Sequence, residues 1–265
     1  MRLGIANSVS KSENFDPIDT IEFLHQHSTF DAVQIYINKK LALNQNKYTN
    51  LNKNRNLEKY TVILHADCPM ESVVHSKNDR YLNILSSLEN QLKAKSCIFH
   101  LDMTSDADVY RKGMEYLMEL FHSPIALELV YNNKSGMKPL RWVDSFLELL
   151  QEIRHQVNII PVIDIPRFYH HQLDLSIQES TNLTMKILDG IHQLTLPIIL
   201  HLIDVKSTTQ SREDFCAIGS GIIPYEQIFH HIHVNQIHID DIILEFEDKV
   251  NPIQSLESIY RYFKK

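Results

Sequence analysis

The stretch SCIFHLDMTSDADVYRKGMEYLMELFHSPIALEL (96–129) has the pattern of a strand, a helix and a second strand. Its runs CIF and IAL are short and apolar, which is typical of strands buried in a parallel sheet. Between them, Met114, Leu117 and Phe121 recur at the spacing of one helix face, and Ser105 is expected to cap that helix. Two strands joined by a crossover helix predict a parallel pair.

The same alternation of strand-like and helix-like segments continues from end to end of the chain. The predicted strands are 2–7, 31–37, 61–65, 96–100, 124–129, 158–164, 197–203 and 241–246. Eight strand–helix units in about 250 residues match the count and size of a (β/α)8 barrel. We therefore predict an α/β fold, a (β/α)8 TIM barrel of one domain over residues 1–265. A doubly wound open sheet is the structural alternative, but its usual glycine-rich first crossover is absent from the sequence.

Local signals predict where some of the helices begin and end. Asp16 and Pro17 have the residue types of an N-cap followed by the first helical residue. Gly190 is expected to follow the last turn of a helix near 176–189. The polar stretch 38–58 is expected to form a long loop or an irregular helix.

Composition narrows the class of protein. The net charge is −7, with 26 basic and 33 acidic residues, which disfavours a generally basic nucleic-acid-binding protein, although one basic face would suffice for DNA. Three cysteines without a CxxC pair indicate a reducing compartment, and we expect a cytoplasmic protein. No apolar stretch has the length of a membrane span, so no membrane partner is expected. Neither GxGxxG nor a P-loop is present, which argues against a nucleotide cofactor.

Six of the apolar runs end on a residue that can bind a metal ion. These residues are His65, His100, Glu128, Asp164, His201 and Glu245. Ligands bind at the carboxyl ends of the strands in parallel barrels, so the six side chains should meet at one rim. Three imidazoles and three carboxylates suit zinc first, with manganese or magnesium as alternatives. For each residue alone, a polar side chain at the barrel rim is the alternative interpretation.

The six residues can be divided into two metal sites. Glu128, Asp164, His201 and Glu245 would form one, and His65 with His100 would form a second that shares Glu128. We predict two divalent ions. Such a pair can clamp a phosphate and generate a hydroxide nucleophile near neutral pH.

The segment HLIDVKSTTQSREDFCAIGSGII (201–223) resembles the HLNDSK, GSR and IGxGxI motifs of the endonuclease IV family of metal-dependent apurinic/apyrimidinic endonucleases. That family belongs to the xylose-isomerase-like barrels. VQIYINK (33–39) is similar to its QIF segment, and ILHAD, FHLD, LELV, VIDIPR and ILEFE resemble its ligand-bearing strand ends. The resemblance implies zinc ions that act on a phosphodiester beside an abasic sugar in DNA. It assigns His65, His100 and Glu128 to the first metal and makes Glu128 the bridge to a second, held also by the other three ligands.

The chain departs from the family at the third metal. The resemblance places a His and an Asp-x-His pair where this chain has Arg167, Glu213 and Phe215. We therefore expect no third ion. Arg167 is expected to bind phosphate oxygens in its place, the alternative being an ion pair with a neighbouring acid. The predicted catalytic residues are Glu128, Glu245 and Arg167.

Five further residues are predicted to support the ligands or to contact the substrate. Asp204 and Lys206 follow the seventh strand and Arg212 lies in the same motif, where any of them could support His201 or reach the substrate. Tyr36 and Asn38 follow the second strand, where the DNA-intercalating loop of the resembled family begins.

Three functions follow from these residues. The first is a metal-dependent phosphodiesterase that cleaves DNA at abasic sites. The second is a sugar or sugar-phosphate isomerase or epimerase of the same superfamily, with Glu128 and Glu245 as an acid/base pair for enediol chemistry. The acidic net charge and the altered third site favour the second function, whereas His65 and His100 favour the first. The third is a non-catalytic barrel relative.

Overall fold

The computed structural model describes residues 1–45, 48, 51–74, 79–132 and 136–263, which contain ten strands. They are β1 (Arg2–Ala6), β2 (Ala32–Ile37), β3 (Thr61–Pro69), β4 (Ser96–Leu101), β5 (Ile125–Leu129), β6 (Ile159–Asp164), β7 (Ile198–Leu202), β8 (Asp204–Val205), β9 (Phe215–Cys216) and β10 (Ile239–Leu244). All except β8 and β9 form a closed parallel barrel, in which β1 pairs with both β2 and β10. The predicted TIM barrel is confirmed, and closure excludes the open sheet.

The helices alternate with the barrel strands. They are α1 (Pro17–Gln26), α2 (Lys39–Gln45), α3 (Met70–Val74), α4 (Arg80–Leu92), α5 (Ala107–Leu120), α6 (Pro139–Ile153), α7 (Ile177–Gln193), α8 (Tyr225–Val234), α9 (Asn251–Gln254) and α10 (Leu256–Phe263). The polar stretch 38–58 contains α2 and two 3-10 turns, Leu51–Lys53 and Leu57–Lys59, while residues 46, 47, 49 and 50 lie outside the described part. No helix in the described ranges is long and apolar enough to cross a membrane.

Two predicted helix ends are wrong and one is confirmed. Asp16 caps α1 by accepting a hydrogen bond of 3.1 Å from the Ile18 N–H. Ser105 is not a cap, because α5 begins at Ala107 with Asp106 at the N-cap. Gly190 does not end α7, which continues to Gln193. A β-carbon at position 190 would lie 2.5 Å from the Leu147 side chain, so the glycine permits close packing of α7 on α6.

Two strands have a bound that differs from the prediction by more than one residue. Strand β3 continues past residue 65 to Pro69, and β10 spans Ile239–Leu244 rather than 241–246. Glu245 therefore follows its strand, although its N–H still donates to the Leu202 carbonyl at 3.1 Å.

The core has two layers. A large apolar layer packs the helices against the outside of the barrel. A smaller cluster consists of Ala6, Ala32, Ile63, Ile98, Ala126, Ile160, Val162, Ile199 and Ile243. Each of these residues belongs to or adjoins a barrel strand, and side chains two residues apart on a strand share a face. The smaller cluster therefore fills the barrel interior, and residues two positions after its members face the same axis.

Candidate metal centre

All six predicted ligands lie two residues after a member of the interior cluster. Ile63 precedes His65 in this way, and the same spacing holds for Ile98, Ala126, Val162, Ile199 and Ile243 and the other five ligands. The strand register also places His100 beside Glu128 and Asp164 beside His201 on neighbouring strands. Strand periodicity and register together place these side chains over the carboxyl-terminal mouth of the barrel.

His65, His100 and Glu128 form the tightest group in the mouth. The Nε2 atoms of the two imidazoles are 2.9 Å apart, and Glu128 Oε2 lies 3.4 Å from that of His65 and 3.5 Å from that of His100. Tetrahedral zinc with bonds of about 2.0–2.2 Å requires ligand atoms about 3.4 Å apart. These three residues can hold a metal ion.

His201 and Glu245 extend the group toward β7 and β10. His201 Nδ1 lies 3.4 Å from Glu128 Oε2 and 3.3 Å from Glu245 Oε1. Gln34 of β2 donates a 2.6 Å hydrogen bond to Glu245 Oε1, and its amide nitrogen is 3.2 Å from His65 Nδ1. Gln34 thus holds both a carboxylate and an imidazole in position, as outer partners of metal ligands do.

Arg167 pairs with two of the predicted ligands. Its Nη2 donates to Glu128 Oε1 at 2.9 Å, and its Nε lies 2.6 Å from Asp164 Oδ2. An ion pair between Arg167 and a neighbouring acid was the alternative to phosphate binding in the sequence analysis, and the structure contains this ion pair. Glu213 lies in the 3-10 turn Arg212–Asp214, and Phe215 pairs with Val205 in the β8–β9 ribbon.

Several buried atoms of the centre have no hydrogen-bond partner. In the described part of the chain these include Glu128 Oε2 and both ring nitrogens of His201. A buried polar atom without a partner normally costs free energy, and a bound ion is one explanation for such atoms. The donor set and its unpartnered atoms therefore fit a divalent cation.

Burial and charge shift the pKa values of the centre in opposite directions. Burial raises the pKa of Asp164 and that of Glu245 to about 7 each, and the charge of Glu128 adds to both shifts. Burial would also raise the pKa of Glu128, but the charges of His100 and Arg167 outweigh it and hold that pKa well below its usual value. Burial lowers the pKa of His65 and that of His201. The pKa of His100 is raised, because Glu128 outweighs the opposing effect of burial.

The metal-free protein is expected to lose stability as the pH rises from about 6.5 to about 8. Across this range folded Asp164 and Glu245 release protons that the unfolded chain has already lost, because burial raises their folded pKa values to about 7. Denaturant midpoints measured in chelator should therefore fall, and Glu245→Gln should reduce the fall. A midpoint that rises over this range would contradict the assignment.

Asp204 lies behind the rim and organises the following loop. Its fully buried carboxylate accepts hydrogen bonds from the N–H groups of Val205, Gly219, Gly221 and Ile223 at 2.8–3.3 Å. Gly221 is required there, because a β-carbon would lie 2.2 Å from Asp204 Oδ1. The side chain of Lys206 is exposed next to this loop.

Tyr36 and Asn38 lie at the rim after β2. The Tyr36 ring meets the His65 ring edge-on, with centroids 5.5 Å apart. Asn38 Oδ1 accepts from the Leu41 N–H at the start of α2, and its amide donates to Asp67 Oδ2 at 3.3 Å. Arg212 lies farther around the rim, 3.2 Å from Glu247 Oε1 and 65% exposed. Tyr36 therefore contacts the centre directly, whereas Asn38 and Arg212 contact neighbouring rim residues.

A small cavity opens beside Arg167. Its volume is about 170 Å3, and it is lined by Arg167, Tyr131, His170, Gln172, Leu173 and Gln210. The Arg167 side chain is 35% exposed and lines this cavity despite its two ion pairs. The cavity therefore places a small anionic group within reach of that cation.

Comparison with known proteins identifies the fold. No family model matches the sequence, and no curated protein is similar to it. Among solved structures, the IOLI protein with a bound zinc atom superposes with a TM-score of 0.64 at 16% identity over 100% of both chains. Endonuclease IV from Thermus thermophilus gives 0.61 at 12% identity, covering 100% of this chain and 99% of that one.

A sugar-processing enzyme has the same architecture. D-allulose 3-epimerase from Methylomonas sp. in complex with D-allulose gives a TM-score of 0.56 at 13% identity, covering 99% of this chain and 97% of the other. The fold is that of the xylose-isomerase-like TIM barrels. At such identities the likeness concerns the fold, so the chemistry has to be argued from the residues of this chain.

Proposed function

We propose that this chain is a divalent-metal-dependent phosphodiesterase of the endonuclease IV type that cleaves DNA at abasic sites, with zinc as its preferred ion. The observation that carries this proposal is the convergence of His65, His100 and Glu128, whose ligand atoms all lie within 4.8 Å of one another. The alternative function, an isomerase, would require only the metal site of Glu128, Asp164, His201 and Glu245. It would have no use for the two imidazoles of His65 and His100 on β3 and β4. Their presence supports the hydrolase.

The residues around the triad have roles suited to phosphodiester cleavage. A bound divalent ion supplies Lewis-acid polarisation of a phosphoryl oxygen and lowers the pKa of a water ligand. Arg167 donates from its exposed edge to the phosphate. Glu245, with a pKa raised to about 7, can accept a proton from the attacking water near neutral pH. Lys206 and Arg212 lie on exposed parts of the same rim and contact the DNA backbone.

Strand cleavage of a duplex that carries one tetrahydrofuran abasic analogue tests this function. We expect cleavage at the analogue, its loss in chelator and its return with zinc, manganese or magnesium. A duplex of the same sequence with an intact base should remain uncut. Absence of cleavage with all three ions would reject the proposal.

The second candidate is a metal-dependent sugar epimerase. It is favoured by Glu128 and Glu245, whose oxygens lie 3.4 and 3.3 Å from His201 Nδ1 and which could act as an acid/base pair on a bound sugar. D-allulose incubated with the protein in heavy water distinguishes the two functions. Deuterium uptake at carbon without DNA cleavage would favour the epimerase, and neither activity would leave the non-catalytic relative.

A further inference from the structure

Arg167 lies among the carboxylates that would have to bind a second divalent ion. We infer that its guanidinium is the permanent second cation of the centre, so that the chain binds one ion, in the triad of His65, His100 and Glu128. The predicted pair of ions is thereby replaced by an ion and an arginine. Only the use of this charge on a phosphodiester rests on the proposed function, and the number of ions can be measured without it.

The local sequence fixes Arg167 above Asp164. The segment after β6 is a 3-10 turn, Ile165–Tyr169, with Pro166 near its start. In a 3-10 helix residues three apart lie one above the other, and proline holds the first turn in a helical conformation. This geometry produces the 2.6 Å contact between Arg167 Nε and Asp164 Oδ2. The ion pair is therefore built into the backbone at the end of the strand.

Arg167 and the imidazoles contact different oxygens of the Glu128 carboxylate. Oε1 accepts from Arg167 Nη2 at 2.9 Å and from Nε at 3.2 Å. Oε2 faces the imidazoles of His65, His100 and His201 at 3.4–3.5 Å and has no hydrogen-bond partner among the described residues. A carboxylate that bridges two metals uses one oxygen for each. Here only Oε2 is free for a metal.

The charges of the centre agree with a single ion. Glu128, Asp164 and Glu245 carry three negative charges when ionised, and Arg167 carries one positive charge. One divalent ion makes this group neutral, whereas a second would leave two excess positive charges in a largely buried site. Uncompensated buried charge is strongly unfavourable. Arg167 therefore occupies carboxylates that a second ion would need and already supplies the positive charge that such an ion would bring.

Arg167 lines a cavity, which indicates what its side chain can bind. The cavity of about 170 Å3 beside it admits a phosphate or another small oxyanion. A guanidinium can bind two oxygens of such a group at once. The expected substrate is thus an oxyanion held between the metal of the triad and Arg167.

The number of bound ions tests this inference. Wild-type protein saturated with zinc and freed of excess ion should contain about one zinc per chain by elemental analysis, and titration calorimetry should show one site of high affinity. Arg167→Gln removes the charge and frees Glu128 Oε1 and Asp164, so its content should rise to about two. Arg167→Lys keeps the charge and should stay near one.

Controls separate this result from misfolding and from a failure of the proposed function. Arg212→Gln removes an exposed arginine of the same rim and should leave the count at one. Circular dichroism identifies a variant that has not folded, and Arg167→Met then serves as a second neutral replacement. Two ions in the wild-type protein, or one ion in both folded neutral variants, would overturn the inference. One ion in the wild type and two in Arg167→Gln, without cleavage of abasic DNA, would reject only the proposed function.

Discussion

Glu128→Gln is expected to lower the affinity of the centre for zinc by more than about 100-fold, since loss of an outer partner alone costs about 10–100-fold. Glu128 Oε2 is the anionic member of the triad, and it faces three imidazoles within 3.5 Å. A neutral amide is a much weaker ligand, and it also leaves Arg167 with one carboxylate fewer. Competition with a chelating dye measures the affinity, and DNA cleavage should be lost in parallel.

Glu71→Gln is the matched control for this substitution. Glu71 is a half-buried carboxyl on the same rim, where it accepts from the Tyr110 hydroxyl at 3.1 Å. Burial raises the pKa of Glu71 to about 7, as it does for Glu245. Glu71 is therefore a carboxyl in a similarly buried setting that does not belong to the triad. Zinc affinity in this variant should remain within about threefold of the wild type, since Glu71 contributes no ligand atom to the triad. Equal losses in the two variants would contradict a specific role for Glu128.

Asp204→Ala is expected to destabilise the folded protein by about 3 kcal/mol or more, because buried N–H groups without partners cost about 1–3 kcal/mol each. The carboxylate satisfies four backbone N–H groups, three of them in the loop from Gly219 to Ile223. Alanine supplies no acceptor, and the buried position gives water little access. Urea unfolding monitored by circular dichroism measures the change.

Lys206→Ala controls for substitution in the same loop. Its side chain is exposed, so the free energy of unfolding should change by less than about 0.5 kcal/mol. Gly221→Ala should resemble Asp204→Ala, because the added β-carbon would occupy the position of Asp204 Oδ1. If both Asp204→Ala and Gly221→Ala unfold at the wild-type urea concentration, the loop does not depend on this carboxylate.

The positions of the six candidate ligands, each two residues after a residue of the interior cluster, follow from strand periodicity, which is local information. An apolar run that ends on His65 or Glu128 indicates that this residue lies near the carboxyl end of a strand and, in a barrel, at the mouth. The closed order of the strands then brings His65, His100 and Glu128, which are distant in sequence, close together.

Gln34 was missed although the same rule would have found it. It lies two residues after Ala32, a member of the interior cluster, as each ligand lies after its own cluster residue. Glutamine is not a usual metal ligand, so a pattern of metal-binding residue types at strand ends does not include it. The structure places Gln34 between Glu245 and His65, and it is an outer partner that a search for ligand residue types overlooks.

The role of Arg167 depended on a distance that the sequence does not contain. Its pairing with Asp164 follows from their separation by three residues, but its contact with Glu128 joins the turn after β6 to the end of β5. Helix ends were also uncertain, since Gly190 lies inside α7 because of its packing against Leu147. Such errors arise where tertiary packing overrides a local signal.

Anomalous diffraction at the zinc absorption edge from crystals of the zinc-loaded protein tests the central claim most directly. The account predicts one strong peak per chain, bonded to the Nε2 atoms of His65 and His100 and to Glu128 Oε2, with Arg167 still paired with Asp164. A peak coordinated by Asp164 and Glu245 with Arg167 displaced, or no peak in the barrel mouth, would contradict it.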